Sequence, residues 1–191
     1  MENAILINAF YFLSYMADTI FSGLKLLVPF VLILEAFNVK MKYTDVKSLV
    51  ITINILLLVG SIMFLTGTII NFYRALIAGD PMERDFMIGL ATGPHWYQIV
   101  VPLLVYAIFP IILWIRKLRE TIYSAGLIVL SWFIAFYFLV YLTYNEDQYI
   151  IKKARPMKFP IEITVEKALV FVLLLSFIYL ILNFKRIKSN V

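Results

Sequence analysis

The chain has no cysteine and one histidine, and only 15% of its 191 residues are charged. Without cysteine the chain cannot ligate an iron–sulfur cluster through thiolates, attach a haem through thioether bonds, form a disulfide or use a thiol nucleophile. A single histidine also excludes bis-histidine haem ligation within the chain. We therefore expect no cofactor to be bound by this chain alone, and any redox metal to be held by a partner.

Hydrophobic residues make up 63% of the chain and its mean hydropathy is +0.92, whereas soluble domains are about 45 to 50% apolar. Five apolar runs are separated by charged residues, and each is long enough to cross a bilayer, which takes about 20 residues. The sequence predicts an all-α polytopic membrane protein, a single transmembrane domain over 1–191. Its five transmembrane helices are expected at 5–37, 46–73, 96–115, 121–144 and 168–184.

The net charge of +5 comes from basic residues that flank the apolar runs. We interpret them as topology signals and expect membrane lipid, not nucleic acid, as the partner of this charge. The start of the chain lacks a basic region, so the first run is expected to be a retained span. The distribution of these basic residues predicts an outside N-terminus and a cytoplasmic C-terminus. Three basic clusters are then on the inner side: Lys40, Lys42 and Lys47; Arg116, Lys117 and Arg119; Lys185, Arg186 and Lys188.

Two ionisable residues of the first run are the most informative. Asp18 and Lys25 are seven positions apart, which places them on nearly the same helical face, about 10 Å apart along the axis. Charges within a membrane are costly, so the pair predicts a group that transfers protons or faces a quinone. The alternative is that Asp18 lies near the outer interface while Lys25 binds a partner carboxylate or a lipid phosphate.

Other polar residues have two interpretations each. Gly60, Gly67 and Asn71 fall on one stripe of the second helix, where small residues favour close helix packing. His95, beside Trp96, is either a hydrogen-bond donor to a quinone carbonyl or an interfacial anchor. The aromatic residues of the fourth run are expected to face lipid and the interface: Trp132, Phe133, Phe136, Tyr137, Phe138, Tyr141 and Tyr144.

Two long connections, 76–95 and 145–167, are predicted to be loops on the outer face. The first carries charges that make it the expected docking loop for an extramembranous partner: Asp80, Glu83, Arg84 and Asp85. Neither a catalytic residue nor a metal-ligand set is predicted. The candidates for a quinone or proton site are Asp18, Lys25, Asn71 and His95.

The segment Ala78-Gly79-Asp80-Pro81-Met82-Glu83-Arg84, followed by Ala91-Thr92-Gly93-Pro94-His95-Trp96, resembles the outer loop of NrfD-like, polysulfide reductase-type membrane subunits, especially those of bacterial alternative complex III. The likeness covers nearly the whole chain but only the C-terminal half of a typical member. It implies a subunit of a quinone-linked respiratory complex in a prokaryotic inner membrane. Partners would be other integral membrane subunits and extramembranous redox subunits that carry Fe–S or haem.

In that family the quinone site is associated mainly with helices that have no counterpart here, so the resemblance implies a structural or site-sharing role, with a quinone at an interface. Asn71 stands where many relatives have an acidic residue, which argues against a proton path of the family's kind. Two other classes remain open: a small transporter or channel subunit, and an assembly scaffold of another membrane complex. An intramembrane enzyme acting alone is the weakest interpretation, because no nucleophile and base pair has recognisable spacing.

Overall fold

The fold is described from a computed structural model, which covers residues 2–37, 46–79, 81–146 and 164–189. Within these ranges there is no β-strand, and the all-α prediction is confirmed. The α-helices are α1 (Glu2–Ala36), α2 (Val46–Tyr73), α3 (Pro81–Thr92), α4 (Tyr97–Pro102), α5 (Phe109–Ile111), α6 (Arg116–Arg119), α7 (Ile122–Glu146) and α8 (Val165–Ser189). A π-helical turn, Arg74–Ala78, extends α2, while a second π-helix, Leu103–Ile108, and a 3₁₀ turn, Ile112–Trp114, complete the run from α4 through α5.

Five helical segments are long and apolar enough to cross a membrane: Ala4–Ala36, Val46–Ile77, Tyr97–Trp114, Ile122–Leu142 and Val165–Leu182. We refer to them as the first to fifth spans. In hydrocarbon every backbone N–H and C=O must be bonded within the segment, which is why such runs form helices. The protein is a multi-pass membrane protein whose apolar outer surface contacts lipid.

The prediction that 76–95 forms a loop is wrong for most of that segment. The second span continues through its π-helical turn to Ala78, and α3 begins at Pro81, a residue that suits the first turn of a helix. Glu83 lies in that first turn, where a negative carboxylate interacts favourably with the positive end of the helix dipole. It also accepts hydrogen bonds from Arg74, one of them over 3.0 Å, so α3 is tied back to the end of the second span.

Glycines let α1 and α2 pack closely along their length. A Cβ atom at Gly60 would lie 2.8 Å from Cε1 of Phe21, and one at Gly67 would lie 3.5 Å from the Cβ of Leu13. Both glycines therefore sit against α1, as the packing interpretation of this stripe requires. The largest set of contacts in the fold is the one between these two helices.

The third span is irregular because it contains two prolines. Pro102 and Pro110 have no N–H, and each proline ring disturbs the carbonyl of the preceding turn. Around Pro110 the helix widens to π geometry, in which the N–H of Phe109 donates to the carbonyl of Leu104, five residues earlier. In the same register the N–H of residue 110 would donate to the carbonyl of Val105, but Pro110 has no N–H.

The indole of Trp132 in α7 supplies the missing donor, since its Nε1 donates to the Val105 carbonyl over 2.7 Å. Trp132 is only 1% exposed. The expectation that the aromatic residues of the fourth span face lipid is therefore wrong for Trp132. It holds for exposed neighbours such as Tyr137 and Tyr141.

A buried amide joins the second span to the turn between the third and fourth spans. The Nδ2 group of Asn54 donates to the carbonyls of Arg119 and Thr121 over 2.9 and 3.0 Å. These carbonyls lie where α6 ends and α7 begins, so the amide joins α2 to the connection between these two helices. Asn54 is fully buried, and its amide holds the second span against the turn that precedes the fourth span.

The fifth span packs on the bundle through few residues. Of its described side chains only Phe171 is buried, and the ring of Phe171 lies on Gly23 of α1, in space that a side chain at that position would occupy. Leu174, Leu175 and Ile178 are partly buried against the core. Seven large apolar residues of this span are exposed: Val165, Leu169, Val172, Leu173, Phe177, Leu180 and Ile181. The fifth span thus presents most of its apolar surface to lipid or to another protein.

Candidate functional site

Four aromatic rings meet where the first four spans converge. Phe21 contacts Trp132, with ring centroids 4.9 Å apart, and Tyr106 stacks on Trp132 at 5.1 Å. Phe64 completes the group at 5.7 Å from Tyr106. We call Phe21, Phe64, Tyr106 and Trp132 the central aromatic cluster.

The central aromatic cluster marks the middle of the membrane-spanning region. Trp132 is ten residues from each end of the fourth span, and Tyr106 is nine and eight residues from the ends of the third. At 1.5 Å per residue, both lie about 12 to 15 Å from the ends of their spans. Since the hydrocarbon core is about 30 Å thick, the rings lie near its mid-plane.

Lys25 lies beside this cluster. It is four residues after Phe21, about 6 Å further along α1, and its ammonium is 5.7 Å from the centroid of the Tyr106 ring. The side chain is partly buried. An ammonium over the face of a tyrosine ring is attracted by the negative charge of the π system, and this attraction is larger where water is excluded.

Asp18 lies three residues before Phe21, about 4.5 Å along α1 in the other direction. Its Oδ2 accepts a hydrogen bond from the Lys167 ammonium in the first turn of α8. One turn earlier, the hydroxyl of Tyr15 donates to Oε1 of Glu166 over 2.9 Å. We call Tyr15, Asp18, Glu166 and Lys167 the α1–α8 polar cluster. Its Asp18 lies at the level where the fifth span begins, and the placement of Asp18 near the outer interface stays a prediction.

Asn71 does not join these groups. Its Oδ1 accepts a hydrogen bond from Nη2 of Arg74 over 3.3 Å, so it helps to hold the guanidinium that also binds Glu83. Asn71 is seven residues from Phe64, which places it about 10 Å toward the α3 end of the bundle. Its contacts are those of a residue that supports the end of α2.

His95 lies at the start of the third span, between α3 and α4. Its Nδ1 is 3.4 Å from the hydroxyl of Tyr97, and the two rings meet edge to face at 6.1 Å. It is eleven residues from Tyr106, so the structure separates His95 from Lys25 by about half the thickness of the membrane.

The residues expected in a docking loop lie on or beside α3. Arg84 and Asp85 are exposed on this helix, whereas Glu83 is partly buried against Arg74. Asp80 lies outside the described residues, as does most of the second predicted loop, 145–167. A helical surface with exposed Arg84 and Asp85 thus replaces the expected loop.

A second set of charges lies at the opposite end of the bundle. Glu120 accepts a hydrogen bond from Nε of Arg116 over 3.0 Å and is 3.5 Å from the ammonium of Lys47. The Arg116 hydrogen bond and the charge of Lys47 lower the pKa of the Glu120 carboxyl. The beginning of the second span and the turn before the fourth therefore lie at the same end, as the distribution of basic residues predicts.

An apolar groove of about 520 Å³ runs between α1 and α7. Pro29 and Gly126 are among its lining residues, and Phe133 lies at the level of the central aromatic cluster. Lys25 lies one turn before Pro29 on the same face of α1. The groove suits a hydrocarbon chain, because almost all of its surface is apolar. Within the described ranges no three carboxylate or histidine groups come together to hold a metal ion.

The sequence identified Asp18 and Lys25 but not their neighbours. Lys167 is 149 residues from Asp18, and Tyr106 is an ordinary aromatic residue within an apolar run. A signal for Lys167 existed, since it lies at the boundary of an apolar run, but nothing in the sequence pairs it with Asp18.

No family model, no curated protein and no solved structure matches this chain.

Proposed function

We propose that this chain is an integral membrane subunit of a quinone-linked respiratory oxidoreductase complex, either structural or sharing a quinone or proton site with a partner subunit. The observation that carries the proposal is the Lys25 ammonium above the Tyr106 ring, beside the central aromatic cluster. Ionisable groups at this depth are rare and commonly mark a ligand, ion or proton pathway. A quinone ring can stack on aromatic side chains, and its carbonyls accept hydrogen bonds from ammonium or phenol groups.

The redox metals of such a complex belong to its other subunits, because this chain has no cysteine and one histidine. The exposed charges of α3 suit the docking of an extramembranous Fe–S or haem protein on the outer face. The resemblance of 78–84 and 91–96 to NrfD-like subunits supports the same assignment, with an outside N-terminus and a cytoplasmic C-terminus in a prokaryotic inner membrane.

Purification in mild detergent tests the proposal directly. We expect electron-carrying polypeptides to copurify and the preparation to oxidise quinol. The Lys25→Met variant should lower quinol-linked turnover about tenfold or more, since a hydrogen bond to a charged group contributes about 1.5 to 3 kcal/mol. Tyr106→Phe, which keeps the ring and removes the hydroxyl, separates stacking from hydrogen bonding.

Ile134→Ala is the matched control, because Ile134 lies two residues from Trp132 and is exposed on α7. It should leave turnover unchanged. A purified complex without any electron-carrying or quinone-reactive partner would refute the proposal. Full turnover in an assembled Lys25→Met complex would reduce the role of the chain to a structural one, and dispersal of the complex on its deletion would then identify an assembly scaffold.

A second candidate function is a small transporter or channel subunit. It is favoured by the α1–α8 polar cluster, whose Asp18 and Glu166 are exposed where the fifth span packs on the first. Charged groups in such positions commonly line a water-filled path. Ion flux into proteoliposomes should then fall in Asp18→Asn, and equal flux in the variant and the unchanged protein would eliminate this candidate.

A further inference from the structure

Four of the five spans have an end beside one small pocket. The second span begins one residue before Lys47, and the fifth ends at Leu182. Arg116 and Glu120 lie in the turn between the third and fourth spans. The residues around these ends line a cavity of about 210 Å³, which we call the span-end pocket: Lys47, Ser48, Ile51, Arg116, Glu120 and Leu182. The span-end pocket therefore lies at a boundary of the hydrocarbon layer, at the depth of the lipid headgroups.

The two basic groups of the span-end pocket are held on one carboxylate. Glu120 accepts a hydrogen bond from Nε of Arg116 over 3.0 Å, and its other oxygen is 3.5 Å from Nζ of Lys47. Lys47 belongs to α2, whereas Arg116 and Glu120 belong to the turn that contains α6. Two separate parts of the fold thus bring a guanidinium and an ammonium together.

The span-end pocket has more positive charge and more hydrogen-bond donors than Glu120 can satisfy. A guanidinium has five N–H donors, and the bond to Glu120 uses one of them. The side chains of Arg116 and Lys47 are 84% and 60% exposed, so their donors are accessible. Lys117 and Arg119 lie on the same short helix and add to the positive charge. A ligand of this pocket is therefore an anion, and the planar fork of an arginine matches the oxygens of a phosphate.

The deeper wall of the span-end pocket identifies the source of the phosphate. Ile51 and Leu182 lie within the second and fifth spans, and both are partly buried. A free phosphate ion would leave this apolar wall against water. A phospholipid instead places its phosphate against the basic groups and its glycerol and acyl chains against Ile51 and Leu182. Basic pockets between transmembrane helices on the cytoplasmic side bind the head groups of anionic lipids in this way.

We infer that the span-end pocket binds the phosphate of an anionic phospholipid, with Arg116 and Lys47 as the donors. The net positive charge of the pocket selects an anionic lipid over a zwitterionic one. This lipid site goes beyond the proposed function and does not depend on it, because it concerns the lipid beside the chain and not the reaction of a complex.

Native mass spectrometry of the detergent-purified protein, alone or in its complex, tests for this site. The protein is titrated with phosphatidylglycerol or with phosphatidylcholine, which has the same phosphate but no net charge. We expect one phosphatidylglycerol molecule to be retained per chain at concentrations at which phosphatidylcholine is not retained. Inorganic phosphate added at the same concentrations should not displace the lipid.

Arg116→Gln should weaken the retention of phosphatidylglycerol about tenfold or more, because it removes a hydrogen bond between two charged groups. Lys47→Gln should also weaken it. Lys117→Gln is the matched control, since it removes the same charge from the same turn but Lys117 does not line the pocket. Its retention should be nearly unchanged. The three side chains are exposed, so none of these substitutions disturbs the core, and equal melting temperatures in lipid-free detergent verify this.

Equal losses of retention in Arg116→Gln and Lys117→Gln would indicate a diffuse attraction of lipid to the basic boundary and would overturn the assignment of a site. Retention of phosphatidylcholine as strong as that of phosphatidylglycerol would overturn it as well. Displacement of the lipid by inorganic phosphate would show that the pocket takes a free anion, which also contradicts a lipid site.

Discussion

The bond between Trp132 and the third span yields a prediction that separates hydrogen bonding from packing. The Val105 carbonyl has no donor in the α or the π register, because Phe109 bonds to Leu104 and Pro110 has no N–H, and it accepts the indole N–H of Trp132 instead. In Trp132→Phe this bond is lost and the side chain becomes smaller. In a Pro110→Ala background, position 110 or position 109 can donate to Val105, in the π or the α register respectively.

The expected change in the free energy of unfolding follows from the burial of the Val105 carbonyl. An unsatisfied buried carbonyl costs about 1 to 3 kcal/mol, although interhelical hydrogen bonds in membranes measure about 0.6 kcal/mol on average. We expect Trp132→Phe to destabilise the protein by about 2 kcal/mol, and by about 1 kcal/mol less in the Pro110→Ala background. The loss of packing is the same in both backgrounds, so the difference between the two reports the bond alone.

The measurement is a double-mutant cycle on detergent-solubilised protein, with unfolding by SDS followed by far-UV circular dichroism. Tyr137→Phe serves as the control, because Tyr137 lies on the same helix and is exposed. If Trp132→Phe is as destabilising in the Pro110→Ala background as it is in the unchanged protein, the indole does not compensate for the proline and the reasoning fails.

Two further predictions concern packing and charge. Gly23→Ala should destabilise the protein by about 1 to 3 kcal/mol, because the new methyl group overlaps a phenyl ring of α8, whereas Gly89→Ala, which has open space around it, should not. Equal melting temperatures of the two variants would contradict this packing. Glu120→Gln should lower the melting temperature at pH 7 but not at acid pH, because Arg116 and Lys47 lower the carboxyl pKa in the folded protein. The contribution of Glu120 to the free energy of unfolding is thus present above the pKa of its carboxyl in the unfolded chain and is lost as the pH falls through the pKa in the folded protein. A difference in melting temperature between Glu120→Gln and the unchanged protein that does not vary with pH would contradict this prediction.

Hydropathy alone predicted the five spans, since only long apolar helices satisfy their backbone in lipid. The same argument could not distinguish buried from lipid-facing aromatic residues. Trp132 and Tyr137 lie in one apolar run, and lipid tails are as apolar as a protein core. The composition of the run therefore does not distinguish a buried aromatic residue from one that faces lipid. The π geometry of the third span was also hidden, although Pro102 and Pro110 indicated that the helix was disturbed.

The candidate site was predicted in part. Asp18 and Lys25 were identified because charge is rare within an apolar run. Their contacts with Lys167 and Tyr106 depend on which helices are neighbours, which a single sequence does not reveal. The helix α3 was missed because Pro81 and Gly89 are typical of loops and because its residues are less apolar than those of the second span.

The amide of Asn54 also has a consequence for biogenesis. If spans are inserted in order, the second span is in the membrane before the turn after the third has been made, and the carbonyls of Arg119 and Thr121 then find their donor on a helix already present. In the folded protein this one amide therefore ties the early hairpin of α1 and α2 to the connection between the third and fourth spans.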